Sequence, residues 1–429
     1  MDTFKKYLVW GALGLFAYMP FHILLSQWLS TYTGGLDAWK IGKDIFTAAL
    51  TAAVVTSVLA TRKYTKLYLA LTGLAVVYLA LHLLLLATTN QPTDTGLLAT
   101  VYNNRLIWYV LIGYGLALLA PKFVNPRRFA KILLVISTVV CLVGLAQWLL
   151  PKDIMTHFGY SLDRGVKPNF FIDDKLDFPR VFSTIRDPNS LGAFLILPST
   201  LSLLAVIRYW KTSKRTLFLG IQLLHGLIII LTFSRSAFIA AFIAHAAAVF
   251  FVFRRQLVGL LKRYWVALAC VLAVVFVGAF ALRDQYVVQN VLLHSDESTT
   301  LDDPNELRVK LFEKGVNGVQ DEPLGHGPGT AGLVSTRLPN GLLTENYYLQ
   351  IAYEAGIAGL LVFTAFLYLI LRQLWRARGS LVAQALLASF IGVAFMNLLL
   401  HTWANEAVAV CWFMLAGVVM LSIKKVKRQ

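Results

Sequence analysis

Long apolar runs recur along almost the whole chain, and polar residues gather between the runs instead of alternating with them. A run of roughly 17 or more such residues crosses a hydrocarbon core about 30 Å thick as a helix. The strands of a membrane barrel would alternate apolar and polar positions, and these runs do not. The pattern predicts twelve spans, at 7–26, 44–61, 67–88, 98–120, 132–150, 188–207, 216–233, 236–253, 264–282, 346–371, 381–400 and 406–423. The first follows "MDTFKKY" and runs into "SQWLSTYTGG" without a small-residue cleavage site, so it is expected to be retained. The expected fold is therefore an all-α polytopic membrane protein: one integral domain over residues 1–429, with long loops at 151–187 and 283–345.

Composition agrees with that reading: of 429 residues, 58% are hydrophobic and 14% charged. The net charge of +17 at first points to nucleic acid, but its distribution points to topology. Alternate loops, from Lys5 and Lys6 through Arg127 and Arg128 to Lys427 and Arg428, hold 24 of the 39 basic residues, with Asp2 as their only acid. Loops rich in Lys and Arg stay in the cytoplasm, so both termini are expected inside and no nucleic-acid partner is expected. The three cysteines, Cys141, Cys270 and Cys411, fall in separate spans, which argues against a disulfide framework or thiolate metal site.

The two long loops on the opposite, outer side are mixed in charge, and long loops usually carry function. Within the second, residues 305–317 alternate apolar and charged positions after "DDPNE", which predicts a short amphipathic helix. In "FSTIRDPNSLGAF", Asp187 is a favoured helix cap and Pro188 suits the first helical position. The sixth span then points the positive end of its dipole outward beside Arg186. "TFSRSAF" puts Arg235 between two apolar runs with almost no loop, and "TENYYLQIAYEAGIAG" puts Glu345 and Asn346 before a third outer helix start. Gly356 and Gly359 there would allow close helix packing. Three such helix starts with two arginines would suit a diphosphate, because guanidinium forks onto phosphate oxygens. Arginines near span ends also snorkel to headgroups, and that alternative applies to Arg186, Arg235 and, above all, Arg105 in "VYNNRLIWYV".

"LGHGPGT" sets His326 among glycines, where an imidazole can take a proton near neutral pH, or where a flexible loop simply contains a histidine. Glu345 competes for the same role, or caps a helix. His294, His401 and Glu406 also fall on the outer side without a motif. The acidic pairs 173–174 and 302–303 are read as solvated loop. No metal or nucleotide motif occurs, so no cofactor is expected.

Taken together, "RVFSTIRDPNSLGAFL", "TFSRSAF" and "ENYYLQIAYEAGIAG" after a long outer loop resemble the bacterial O-antigen ligase and polymerase superfamily. That resemblance implies a polytopic glycosyltransferase of the C type. It would move a glycan from undecaprenyl diphosphate, in the inner membrane and on its periplasmic face, to a sugar acceptor. In ligases the acceptor is the lipid A core oligosaccharide. The resemblance further implies that the family's outer-loop arginines correspond to Arg186 and Arg235. Its His-Asn signature corresponds to Glu345 and Asn346, with glutamate in place of histidine. His326 then becomes an alternative base. Asp187 and Asn346 would support the site, Arg105 would be a further diphosphate ligand, and the transfer would be metal-independent and inverting. A polymerase using a second lipid-linked repeat as acceptor is the nearest alternative. A lipid-linked oligosaccharide flippase is another, although it should place more ionisable groups at mid-membrane depth.

Overall fold

The computed structural model describes residues 3–172, 175–254, 256, 259, 263 and 304–421. The expected span at 264–282, Cys270, His294 and the acidic pairs 173–174 and 302–303 fall outside these. The helices are α1 (Thr3–Tyr18), α2 (His22–Thr33), α3 (Leu36–Ala60), α4 (Lys66–Thr88), α5 (Thr93–Leu119) and α6 (Pro126–Leu149). They continue with α7 (Pro188–Arg208), α8 (Lys214–Leu231), α9 (Arg235–Arg254), α10 (Pro304–Asp321), α11 (Tyr347–Arg376) and α12 (Leu381–Met396). The last is a composite: α13 (Glu406–Ala409), a π turn at Val410–Met414, and α14 (Leu415–Met420). Eight helices among the described residues, counting α1 and α2 as one, are long and apolar enough to cross a membrane. The chain is a multi-pass membrane protein. One small antiparallel hairpin, β1 (Phe171–Ile172) with β2 (Lys175–Pro179), departs from the all-α expectation.

The apolar pattern ends the first span at 26 and opens the second at 44. The structure instead carries helix on to Thr33 and restarts it at Leu36, with only Gly34 and Gly35 between. Gln27, Ser30, Lys43 and Asp44 interrupt the apolar run, yet all four are buried. Between α1 and α2, Pro20 sits in a single 3₁₀ turn, and its carbonyl accepts a hydrogen bond from Thr184 Oγ1 at 2.7 Å. This ties the bend to the segment leading into α7.

In lipid, helices gain little from burying apolar surface, so close backbone approach through small residues must do much of the holding. α5 lies at the centre, buried along most of its length. It crosses the last helix through paired glycines: a Cβ at Gly113 would lie 2.2 Å from the Met414 carbonyl oxygen, and one at Gly417 would lie 2.5 Å from that of Val110. Gly392 of α12 meets the Ala240 carbonyl of α9 in the same way, at 2.2 Å. No larger side chain fits at these three crossings without pushing the helices apart.

Candidate functional site

α7 begins as the residues dictate. Asp187 has extended backbone and accepts from Ser190 N at 2.9 Å and Ser190 Oγ at 2.7 Å, with Pro188 in the first turn. α8 and α9 are joined by three residues only, and Ser234 caps α9: its Oγ accepts from Ala237 N at 3.4 Å. These two turns touch. A Cβ on Gly192 of α7 would lie 2.4 Å from that of Ala237. Arg180 staples them, donating from Nε to the Thr232 carbonyl and from Nη2 to Asn189 Oδ1, each at 2.9 Å. The positive ends of α7 and α9 thus lie side by side, with Arg235 as the first residue of α9 and Arg186 just ahead of α7.

Arg186 is exposed and belongs to a group of cations. The charge of Lys40, on the first turns of α3, is acted on by Arg164, Arg186 and Arg337, with Asp37 as the opposing acid. Lys40 Nζ donates to the Arg164 carbonyl at 3.3 Å. The Arg164 guanidinium is held by neutral partners: the Gln27 side chain and carbonyl at 3.1 and 2.9 Å, and Ser30 Oγ. Around Lys40, like charges outnumber the opposing acid.

The glycine-rich loop is fixed by a break in α11. Gly356 takes φ +67°, outside the helical range, so the helix kinks there. The carbonyls freed by the kink are taken up by the loop: His326 N donates to Tyr353 O at 2.9 Å and Gly327 N to Glu354 O at 3.0 Å. Gly356 therefore serves the loop and not helix packing, whereas Gly359 does lie against α4, near Leu81 and Tyr78. The His326 ring stacks on Tyr353 at 3.9 Å, its Nε2 lies 3.9 Å from Glu322, and its buried Nδ1 has no partner among the described residues. Sequence reasoning missed Glu354. Its buried carboxylate accepts from Asn103 Nδ2 at 2.6 Å, Gly329 N at 3.1 Å and Ala331 N at 3.2 Å, clamping the loop to α5 and α11. A lone acid inside an apolar span was the available signal.

Asn346, and not Glu345, caps α11: its Oδ1 accepts from Tyr348 N and Leu349 N at 3.0 Å, and its Nδ2 donates to the Leu398 carbonyl. Glu345 has φ +46° and so lacks the extended backbone a cap needs; it pairs with Arg308 of α10 at 2.5 Å. The amphipathic helix expected at 305–317 is thus present, and it holds Glu345. Nearby, His401 is buried beside Thr344 Oγ1 at 3.2 Å, and that burial lowers its pKa to about 4.

Arg105 neither snorkels nor joins Arg186. Its guanidinium is buried, lies over the Tyr102 ring, and donates to Glu406 Oε1 at 3.0 Å and to the Ala404 carbonyl. Lys43 shares that carboxylate at 3.3 Å and meets Asp44 at 2.8 Å. Among the described residues, no group of three or more His, Cys, Asp or Glu is arranged to hold a metal ion.

Residues 217–364, from α8 through the first half of α11, match the family model described as O-antigen ligase. The match covers the Arg235 turn, the glycine-rich loop and the kinked helix, and it supports membership of the O-antigen ligase superfamily. Members of that family are glycosyltransferase-like enzymes acting, at a coarse level, on lipid-linked glycans. No curated protein matches the chain in a sequence search.

Proposed function

We propose that the chain is an O-antigen ligase, transferring a glycan from undecaprenyl diphosphate to the lipid A core oligosaccharide at the periplasmic face of the inner membrane. One observation carries the proposal. The starts of α7 and α9, bearing Arg186 and Arg235, lie side by side next to an excess of cations, in a chain matching that family. An acceptor hydroxyl attacks the anomeric carbon while the bond from that carbon to the diphosphate oxygen breaks. Arg186, Arg235 and the helix ends stabilise negative charge growing on the departing diphosphate. His326 is the base that takes the hydroxyl proton, and Glu345 is the second candidate. His326 is held by backbone bonds from a kinked helix, which suits a group that must be placed accurately. Displacement from the face opposite the diphosphate inverts the anomeric centre. Arg105, engaged by Glu406, enters as a pin beneath the site.

The test uses purified protein, synthetic undecaprenyl-diphosphate glycan, and either core lipopolysaccharide or a second lipid-linked repeat as acceptor. Products are separated by gel, with and without chelator. Glycosylated core in both conditions is expected. Growth of the lipid-linked glycan alone makes the chain a polymerase. Loss of transfer on chelation, restored by one ion, assigns a metal role to the acidic pairs.

A further inference from the structure

A cavity of about 520 Å³ opens between α1 and α3, and its walls are almost wholly apolar. Trp39, Lys43 and Phe46 line it from one face of α3, at helical spacing, and Gly11 and Gly14 face them from α1. The glycines make the space. A Cβ built on Gly14 or on Gly42 would meet nothing within 4 Å, whereas one on Gly11 would touch Phe46 at 3.4 Å. Trp39 and Phe46 are large apolar side chains left exposed at the edges of this trough. Lys40 follows Trp39 in sequence in the first turns of α3, and the charges of Arg164, Arg186 and Arg337 act on it.

We propose that this trough holds the proximal isoprene units of the polyprenyl chain whose diphosphate lies at Lys40 and Arg186. The assignment rests on the transferase reading for the identity of the donor, but not for the trough itself. Its form suits the occupant: one trough between two helices offers a path for a single linear chain. Its charge fits too. On Lys40, three cations, Arg164, Arg186 and Arg337, act against one acid, Asp37, an excess suited to a multiply charged diphosphate and not to a zwitterionic headgroup.

The same glycines give the test. At Gly14 and Gly42 an added Cβ meets nothing within 4 Å, so Gly14→Leu and Gly42→Leu start into open space, and leucine favours helix over glycine, so folding is expected to survive. The probe is a polyprenyl diphosphate with a photoreactive diazirine in its proximal isoprene units, cross-linked to purified protein and mapped by mass spectrometry. Labelling is expected on α1 and α3, competed by unlabelled polyprenyl diphosphate and not by a diacyl phospholipid. Each leucine variant should weaken it about tenfold, the equivalent of losing contact with roughly two methylene groups. Labelling confined to other helices, equal competition by phospholipid, or full labelling of both folded variants would overturn the proposal. Mapped labelling without transfer to either acceptor would support the trough while sinking the transferase reading, so the two fail separately.

Discussion

Lys40 and Lys43 stand one turn apart on α3 and belong to opposite kinds of charge cluster. Lys43 and Arg105 face Asp44 and Glu406, two cations with two acids, and both cationic side chains are at most 2% exposed. Lys40 is acted on by three cations, Arg164, Arg186 and Arg337, and by one acid, Asp37, and Arg186 is open to solvent. A balanced group satisfies itself and can join α3, α5 and α13. An unbalanced group at a helix end gains from a negatively charged guest. The lesson is that the count of opposing charges, and not burial or proximity alone, separates a structural pin from a binding site.

The largest effect expected from breaking the comparison lies in the balanced group. Glu406→Ala leaves the Arg105 guanidinium buried without its carboxylate and takes one of two acids from Lys43. Stranding a buried charge costs about 3–5 kcal/mol. Thermal unfolding in detergent should show a large drop for Glu406→Ala. The double variant Glu406→Gln, Arg105→Met should recover much of it, because Lys43 keeps Asp44 and no charge is then left unopposed. An unchanged melting temperature for Glu406→Ala would show that the cluster does not hold the helices.

The unbalanced group should behave in the reverse way. Arg186→Ala removes a cation from an excess of cations, so stability should hold or rise slightly, while transfer falls about 10² to 10³ in rate. Arg186→Lys should rescue poorly, since the ammonium keeps the charge and loses the planar fork. Initial rates with saturating acceptor, alongside melting curves, separate the two behaviours. Near-normal transfer by folded Arg186→Ala would remove the diphosphate from this end of the bundle.

The sequence showed the apolar helices well, because a long apolar run has few alternatives to a span. It also showed the Asp187 cap and the short turn before Arg235, whose chemistry is local. It did not show that 27–33 and 36–43 are helical, because Gln27, Ser30 and Lys43 look like loop residues until their partners on other elements are known. Arg105 and Glu406 are 301 positions apart, and only the fold makes them one ion pair. Glu354 was hidden differently: it lies within a quoted motif, but its partners are the Asn103 amide, 251 positions away, and backbone N–H groups of a loop, which carry no side-chain signature.

The smallest expected effect decides the base. Glu345 pairs with Arg308 across partly exposed surface, a bond contributing about 0.2–1 kcal/mol. Its backbone also sits at φ +46°, a region costing a residue with a Cβ roughly 1–2 kcal/mol and costing glycine almost nothing. Glu345→Ala keeps the strained backbone and loses the ion pair, so it should melt slightly lower. Glu345→Gly loses the same pair but relieves the backbone, so it should melt as high as the parent or slightly higher. Neither change should alter turnover appreciably if His326 takes the proton, whereas His326→Ala should lower turnover by about 10² to 10⁴ with donor binding retained. If Glu345 is the base, both of its variants lose turnover equally despite opposite shifts in stability. That split between melting and rate cannot come from a residue that only braces α10 against α11.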